Sequence, residues 1–152
     1  MIAPRRSTMR QQGGFSLIEV MIAILVLGFG LLGFALLQTT SVRYVQSANY
    51  RTQATNLSYE LLDQIRINRA AAVLYVANYS ATTTACTPPT GGDITAQQFM
   101  ADWQCRLGKA LGEGATASVT RNGDQVTVRV SWGDERWVAD SADTTFTAST
   151  RL

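Results

Sequence analysis

Glu19 is the side chain whose chemistry most needs an explanation, because it is the only charged residue in the apolar run from Leu17 to Leu37. At about 1.5 Å per residue, this run gives roughly 30 Å of helix, which matches the hydrocarbon core of a bilayer. A carboxylate inside lipid is unfavourable by several kcal/mol unless it is paired or lies near an interface. The sequence therefore predicts a membrane-spanning helix whose acid either meets a positive charge or is neutralised at the interface.

A short basic leader precedes this run. A secretory signal peptide has its apolar region before the cleavage site and loses it on processing, whereas here a glycine pair comes first. Cleavage after Gly14 would therefore retain the apolar helix. By the positive-inside rule the leader stays in the cytoplasm, and the chain after Leu37 is expected outside the cytoplasmic membrane. An uncleaved signal anchor would have the same topology. The basic residues of the leader are Arg5, Arg6 and Arg10.

Few other residue types could carry chemistry. The chain has no histidine and only two cysteines, so it lacks the ligands of a zinc or haem site, and we expect neither metal nor cofactor. The segment GFGLLG at 28–33 matches a dinucleotide-binding pattern, but it lies inside the apolar run without the preceding strand that this pattern requires. With no nucleophile elbow, P-loop or suitable cluster of acids in the sequence, we expect no catalysis.

Cys86 and Cys105 flank a loop and a predicted helix. In a periplasmic domain a disulfide between them is the default expectation, and two buried free thiols are the alternative. Closing a loop of this length would contribute about 3 kcal/mol in the chain-entropy model.

The elements that position these residues begin with one long helix. No proline occurs between residues 15 and 76, and apolar residues recur at spacings of three, four and seven after residue 50. This pattern predicts one continuous helix whose second half packs on a small domain. Asp63 and Arg66 lie one turn apart and can pair on its exposed side. The predicted buried stripe is Tyr50, Ala54, Leu57, Leu61, Ile65, Ala72 and Val76.

Residues 79–93 contain the threonines, prolines and glycines of a loop. Thr95 with Gln98 resembles a capping box and starts a short second helix, which Gly112 or Gly114 ends. Gly108 is expected to weaken this helix. Its predicted buried stripe is Phe99, Trp103, Leu107 and Leu111.

The last quarter of the chain is predicted to be β-structure. Segments 115–121 and 125–132 flank a glycine turn and read as a hairpin. Further strands are predicted at 135–139 and at 144–148, and the pattern of the second is the weaker of the two. The fold class is therefore α+β, with a long N-terminal helix packed on a small antiparallel sheet beside a short extra helix. The predicted inward residues of the second strand are Val126, Val128, Val130 and Trp132.

The run GGFSLIE at 13–19, with its basic leader and long apolar continuation, resembles the processing site of type IV pilins and secretion pseudopilins. The resemblance implies that a prepilin peptidase cuts between Gly14 and Phe15 and methylates the new amino group of Phe15. It also implies that Glu19 pairs with the amino terminus of the adjacent subunit in a filament. The implied fold is the type IV pilin fold, with a removed leader (1–14), a transmembrane half-helix (15–37), a periplasmic half-helix (38–78) and a globular region (79–152).

Two segments look like the PilV-type minor pilin of type IV pili: GFGLLGFALLQ at 28–38 and NYRTQATNLSYELLDQIRINR at 49–69. This resemblance implies a structural subunit that primes pilus assembly and stays at or near the tip. The implied partners are other minor pilins, the major pilin, the prepilin peptidase and the inner-membrane assembly platform. The implied location is the inner membrane, with the C-terminal domain in the periplasm, and then the pilus.

Three alternatives stay open at this point. The closest is the I-type minor pseudopilin of a type II secretion system. A signal-anchored periplasmic enzyme or binding module belongs to a different class. The third is DNA uptake. Nucleic acid is not expected as a partner, because the formal net charge of +2 leaves −1 once the three leader arginines are removed. If DNA binds, the expected site is a local patch of Arg121, Arg129 and Arg136.

Overall fold

The computed structural model describes residues 13–84, 86–92, 94–134 and 142–152. The chain divides into two compact units, Met1–Val42 and Arg43–Leu152. Residues 13–42 are the described part of the first unit, and the second unit contains the core.

Helix α1 spans Leu17–Ile67. Every described residue of the first unit is exposed to solvent. Among the described residues, α1 is the one helix that is long and apolar enough to cross a membrane by length and composition. The first half of the predicted long helix is therefore present.

The expected continuation of the α-helix to Val76 is wrong. The α-helix ends at Ile67, and a 3₁₀-helix follows over Arg69–Tyr75. Asn68 leaves helical backbone geometry at φ −103°, and its side-chain amide donates to the Gln64 carbonyl. Asparagine favours such breaks because its side chain competes for backbone hydrogen bonds. The break turns Tyr75 into the core and leaves Val76 at 40% exposure.

Within the second unit, α1 packs one face into the core, and the predicted stripe is largely confirmed. Tyr50 is only partly buried, and Ser58 and Leu62 join the buried set. Ser58 is satisfied there because its hydroxyl donates to the Ala54 carbonyl at 2.7 Å. The stripe residues that are buried are Ala54, Leu57, Leu61, Ile65 and Ala72.

Helix α2 spans Ala96–Leu111 and has the predicted capping box, in which the Thr95 hydroxyl accepts the Gln98 N–H. Gly112 ends it with φ +96°, a conformation that glycine adopts readily. Trp103, Leu107 and Leu111 are buried, and Phe99 is partly buried. The Trp103 indole N–H donates to the Leu57 carbonyl at 3.1 Å, which ties α2 to α1.

The sheet has four antiparallel strands in the order β1-β2-β3-β4. The predicted hairpin is confirmed, with Gly123 at φ +59° in its turn. Strand β1 begins at the last residue of the predicted half-helix (38–78) and continues into the predicted loop (79–93), and β4 extends beyond its predicted end. The strand predicted at 135–139, with Trp137 and Val138, lies outside the described residues. The strands are β1 Asn78–Ser80, β2 Thr116–Asn122, β3 Gln125–Trp132 and β4 Thr144–Arg151.

One face of the sheet joins both helices in a single core. Alternation along β3 buries Val126, Val128, Val130 and Trp132, as predicted. The fold is therefore α+β, with the long helix packed on the four-stranded sheet beside a second helix.

Candidate functional site at the start of the N-terminal helix

The predicted processing site lies just outside helix α1. Residues 13–16 are not helical, and the Ser16 carbonyl accepts the N–H groups of Glu19 at 3.1 Å and Val20 at 3.2 Å. Phe15 is 84% exposed. A Cβ placed on Gly14 would have no neighbouring atom within 4 Å. The Gly14–Phe15 bond is therefore open to approach from outside the chain.

Glu19 lies in the first turn of α1 and is exposed. A carboxylate at this end of a helix is stabilised by the helix dipole, by about 0.3–1 kcal/mol. Among the residues that the structure describes, Glu19 has no ion pair and its side chain makes no hydrogen bond. Its charge is therefore available to a cation supplied from outside the described chain.

A groove of about 420 Å³ runs along the helix surface beside this acid. Phe15, which precedes the helix, and Glu19, in its first turn, both line this groove. The carboxylate is thus the polar end of an apolar stripe. The groove is lined by Phe15, Glu19, Val20, Ala23, Ile24 and Leu27.

The apolar side chains of this segment are uncovered. Their exposure ranges from 48% at Val20 to 78% at Leu17 within the helix. Exposed apolar area of this extent marks a surface that lipid or other protein chains cover. The segment therefore presents a surface that lipid or other protein chains can cover. A Cβ added to Gly28, Gly30 or Gly33 would meet no atom within 4 Å outside the nearby helix backbone.

The two cysteines lie in the second unit. Cys86 and Cys105 form a disulfide with a Cα–Cα distance of 5.6 Å. The loop before Cys86 is also attached to α2 without the sulfurs, because Thr82 N–H donates to the Gln104 carbonyl at 3.2 Å. The Gln104 side-chain amide donates in turn to the Ser80 carbonyl at 3.0 Å. The disulfide therefore reinforces a contact that hydrogen bonds also hold.

The arginine patch considered for DNA is not assembled by the described part of the sheet. Arg121 is paired with Val126 on the core-facing side of the register, and its side chain donates to the Gly123 carbonyl at 2.8 Å. Arg129 is paired with Ser118 on the opposite face. Arg136 lies outside the described residues.

Two ionic contacts in the second unit were not anticipated. Asp134 is 6% exposed and accepts a hydrogen bond from the Ser47 hydroxyl at 2.7 Å, with Arg51 at 3.6 Å. Ser47 and Arg51 lie one turn apart on α1, but Asp134 comes from the end of β3, so no local pattern indicates the contact.

The second contact centres on Arg106. Its guanidinium binds Glu60 at 2.6 Å and Asp102 at 2.8 Å. The hydrogen bond that the guanidinium donates to the Glu60 carboxylate is the main cause that raises the pKa of Arg106, against the opposing effect of burial. Only the Asp102 contact, one turn away on α2, has a sequence signal.

Two known family models match the part of the chain that contains this helix. Residues 9–35 match the prokaryotic N-terminal methylation motif, and residues 36–105 match the family described as type IV pilin Tt1218. The chain belongs to the type IV pilin superfamily. No curated protein and no solved structure matches it.

A type IV pilin is a structural subunit, and this pilin is accordingly not an enzyme. The methylation motif covers the whole candidate site, from residue 9 in the leader to residue 35 near the end of the apolar run. The pilin is therefore a membrane-anchored, pilus-associated protein, and its partners include other pilins and the prepilin peptidase.

Proposed function

We propose that this pilin is a PilV-type minor subunit that helps to prime type IV pilus assembly and is built in at or near the pilus tip. The observation that carries the proposal is the geometry at the start of α1. An exposed Gly14–Phe15 bond lies before the helix, and Glu19, which has no ion pair among the described residues, lies in the first turn. The two sequence segments at 28–38 and 49–69 supply the subtype.

The proposed steps use these residues in order. The prepilin peptidase cuts between Gly14 and Phe15 and methylates the Phe15 amino group. The apolar helix is held in the inner membrane with residues after 37 in the periplasm, since the basic leader favours the cytoplasmic side. The Phe15 amine of one subunit and the Glu19 carboxylate of its neighbour then pair as the helices associate. Pairing lowers the free energy of a charge that is unfavourable alone in an apolar environment.

The test of priming is a count of pili on cells that lack this pilin. We expect few or no surface pili without it, restored by the wild-type chain, and an epitope tag on the restored chain detected at fibre ends. A normal pilus count, or a tag spread evenly along the fibres, would contradict the priming role. Loss of type II secretion with normal pili would favour the I-type pseudopilin instead.

A further inference from the structure

A shallow depression on the outer face of the sheet is lined by an arginine that has no partner charge among the described residues. Its volume is about 210 Å³, and it lies over β1, β2 and β3 of the second unit. Within the described part of the chain, Arg129 is exposed and has neither an ion pair nor a hydrogen bond from its guanidinium. The polar residues that line the depression are Asn78, Ser80, Thr116, Ser118, Arg129 and Ser131.

The whole outer face shares this character. Side chains alternate between the two faces of a strand, so the positions between the core residues point outward. Every outward position in the four described strands is serine, threonine, asparagine, glutamine or arginine. Among the described residues, the acids of this region lie outside the strands, at Glu113, Asp124, Asp134 and Asp143. The outward positions of the described strands therefore offer hydrogen-bond donors and positive charge without a carboxylate.

The register leaves Arg129 among neutral neighbours. Its cross-strand partners are Ser118 on β2 and Thr147 on β4. Opposite charges facing each other across a sheet stabilise it by about 0.2–1 kcal/mol, and no such pair is used here. The Ser131 hydroxyl is hydrogen-bonded to Thr145 at 2.9 Å, which helps to order the hydroxyls beside the arginine.

We propose that this outer face binds the carboxylate side chain of a neighbouring pilin subunit, with Arg129 as the partner charge. A guanidinium binds a carboxylate through two parallel hydrogen bonds, and the surrounding hydroxyls can donate to the remaining lone pairs. A single guanidinium matches a single carboxylate in charge. The inference rests on assembly of the chain among other pilins, and it is independent of whether the chain lies at the tip.

Other ligands fit this face less well. A phosphodiester backbone is bound by several cations along its length. The second arginine of the face, Arg151, lies opposite Gln125, four residues from Arg129 along β3 and so about 14 Å away in the strand direction. The outward positions of the described strands also lack an aromatic ring on which a base could stack.

The test is site-specific photocrosslinking in assembled pili. A photoreactive amino acid replaces Thr147, the cross-strand neighbour of Arg129, in the full-length chain. We expect a crosslink to a pilin peptide that contains Asp or Glu. Arg129→Gln should lower its yield by about ten-fold, the effect of losing a charge-assisted hydrogen bond. Arg129→Lys should retain part of the yield, and Arg121→Gln, the same charge change on the other face, should leave it unchanged.

The outcomes separate this inference from the proposed function. Crosslinks to nucleic acid or to a pilin peptide without an acid would overturn the inference, as would a yield indifferent to Arg129→Gln. So would the lack of any crosslink while the chain is present in sheared pili. Absence of the wild-type chain from sheared pili would overturn the pilus role together with the inference. Equal thermal unfolding of Arg129→Gln and the wild type would show that the loss of yield does not come from misfolding.

Discussion

Glu19 is an acid whose partner is not in its own described chain. It stands in the first turn of α1 beside an apolar groove, and the helix dipole accounts for only part of what a carboxylate needs in lipid. We expect the remaining stabilisation to come from a cation brought by another subunit or by processing, and we therefore propose that Glu19 acts in assembly rather than in folding.

We expect Glu19→Gln to leave the pilin processed and membrane-bound but to reduce its incorporation into pili. The reduction should be about five-fold if the intersubunit pair contributes about 1 kcal/mol. Immunoblots of sheared pili against total membranes measure the ratio. Asp63→Asn is the matched control, because Asp63 is an exposed carboxylate paired with Arg66 at 3.4 Å. Equal incorporation of the Glu19→Gln chain and the wild type would refute the assembly role.

Tyr79 is expected to make the free energy of unfolding depend on pH in the alkaline range. Its hydroxyl donates to the Tyr75 carbonyl at 2.8 Å. Burial, and to a smaller extent the neighbouring Tyr75, raises the pKa of Tyr79 above its ordinary value of 10.0. Because the unfolded chain then loses this proton first, the stability that the group contributes is complete below the unfolded pKa. It is lost as the pH rises from that value through the folded pKa.

We therefore expect the free energy of unfolding to decrease above about pH 10, and to decrease less steeply in Tyr79→Phe. Urea unfolding of the detergent-solubilised chain over the alkaline range measures both slopes. Tyr44→Phe, at a tyrosine that is 73% exposed, should keep the wild-type slope. Identical alkaline slopes for Tyr79→Phe and the wild type would count against a perturbed Tyr79.

At the scale of elements, helix α2 and the loop before Cys86 meet at Gly108. A Cβ on Gly108 would lie 2.8 Å from the Thr82 carbonyl carbon. The glycine that the sequence suggested as a weak point of the helix thus lies where the backbones of helix and loop approach closely. The disulfide and the Thr82–Gln104 hydrogen bond hold the same pair of segments.

We expect Gly108→Ala to destabilise the second unit by about 1–3 kcal/mol, as overpacking does. The sign is informative, because the same change at an open helix position stabilises by about 1 kcal/mol through helix propensity. Thermal unfolding of the detergent-solubilised chain measures the effect. Gly114→Ala is the control, since nothing lies within 4 Å of its added Cβ. A Gly108→Ala chain at least as stable as the wild type would show that the loop moves away without cost.

Elements with local signals could be predicted from the sequence. The capping box at Thr95, the hairpin around Gly123 and the valine alternation of β3 each depend on neighbours within a few residues. Strand β1 could not be predicted, because its three residues form a strand only by pairing with β2, far along the chain. The end of α1 depends on Asn68 and on the burial of Tyr75, which are set by tertiary packing.

At the candidate site, the sequence was sufficient to single out Gly14, Phe15 and Glu19 by residue type and spacing. The structure adds that the bond before Phe15 is exposed and outside the helix. It adds no partner for Glu19 within the described residues, because that partner is expected on another chain. The contact of Asp134 with Ser47 and Arg51 could not be foreseen, since it joins segments far apart in the chain, and the neutral neighbours of Arg129 depend on sheet register.

At the scale of the whole molecule, we expect the mature pilin to begin at methylated Phe15. The family and the open Gly14–Phe15 bond both support this processing. Intact-mass and N-terminal peptide measurements on membranes from wild-type cells test it. Cells that lack the prepilin peptidase are the control and should retain the unmethylated leader. A wild-type chain that still begins at Met1 or Ile2 would contradict the proposed maturation.

The exposure of the first unit has a consequence for how mutations act on this pilin. No described residue up to Val42 is buried, whereas the second unit has its own core. Substitutions in the exposed segment remove no buried contact, so folding assays and cellular proteases that sense unfolded chains are insensitive to them. We expect chains destabilised by substitutions in the core to be degraded by such quality control. Defects of the first kind therefore yield abundant, well-folded protein that fails only when neighbours are required.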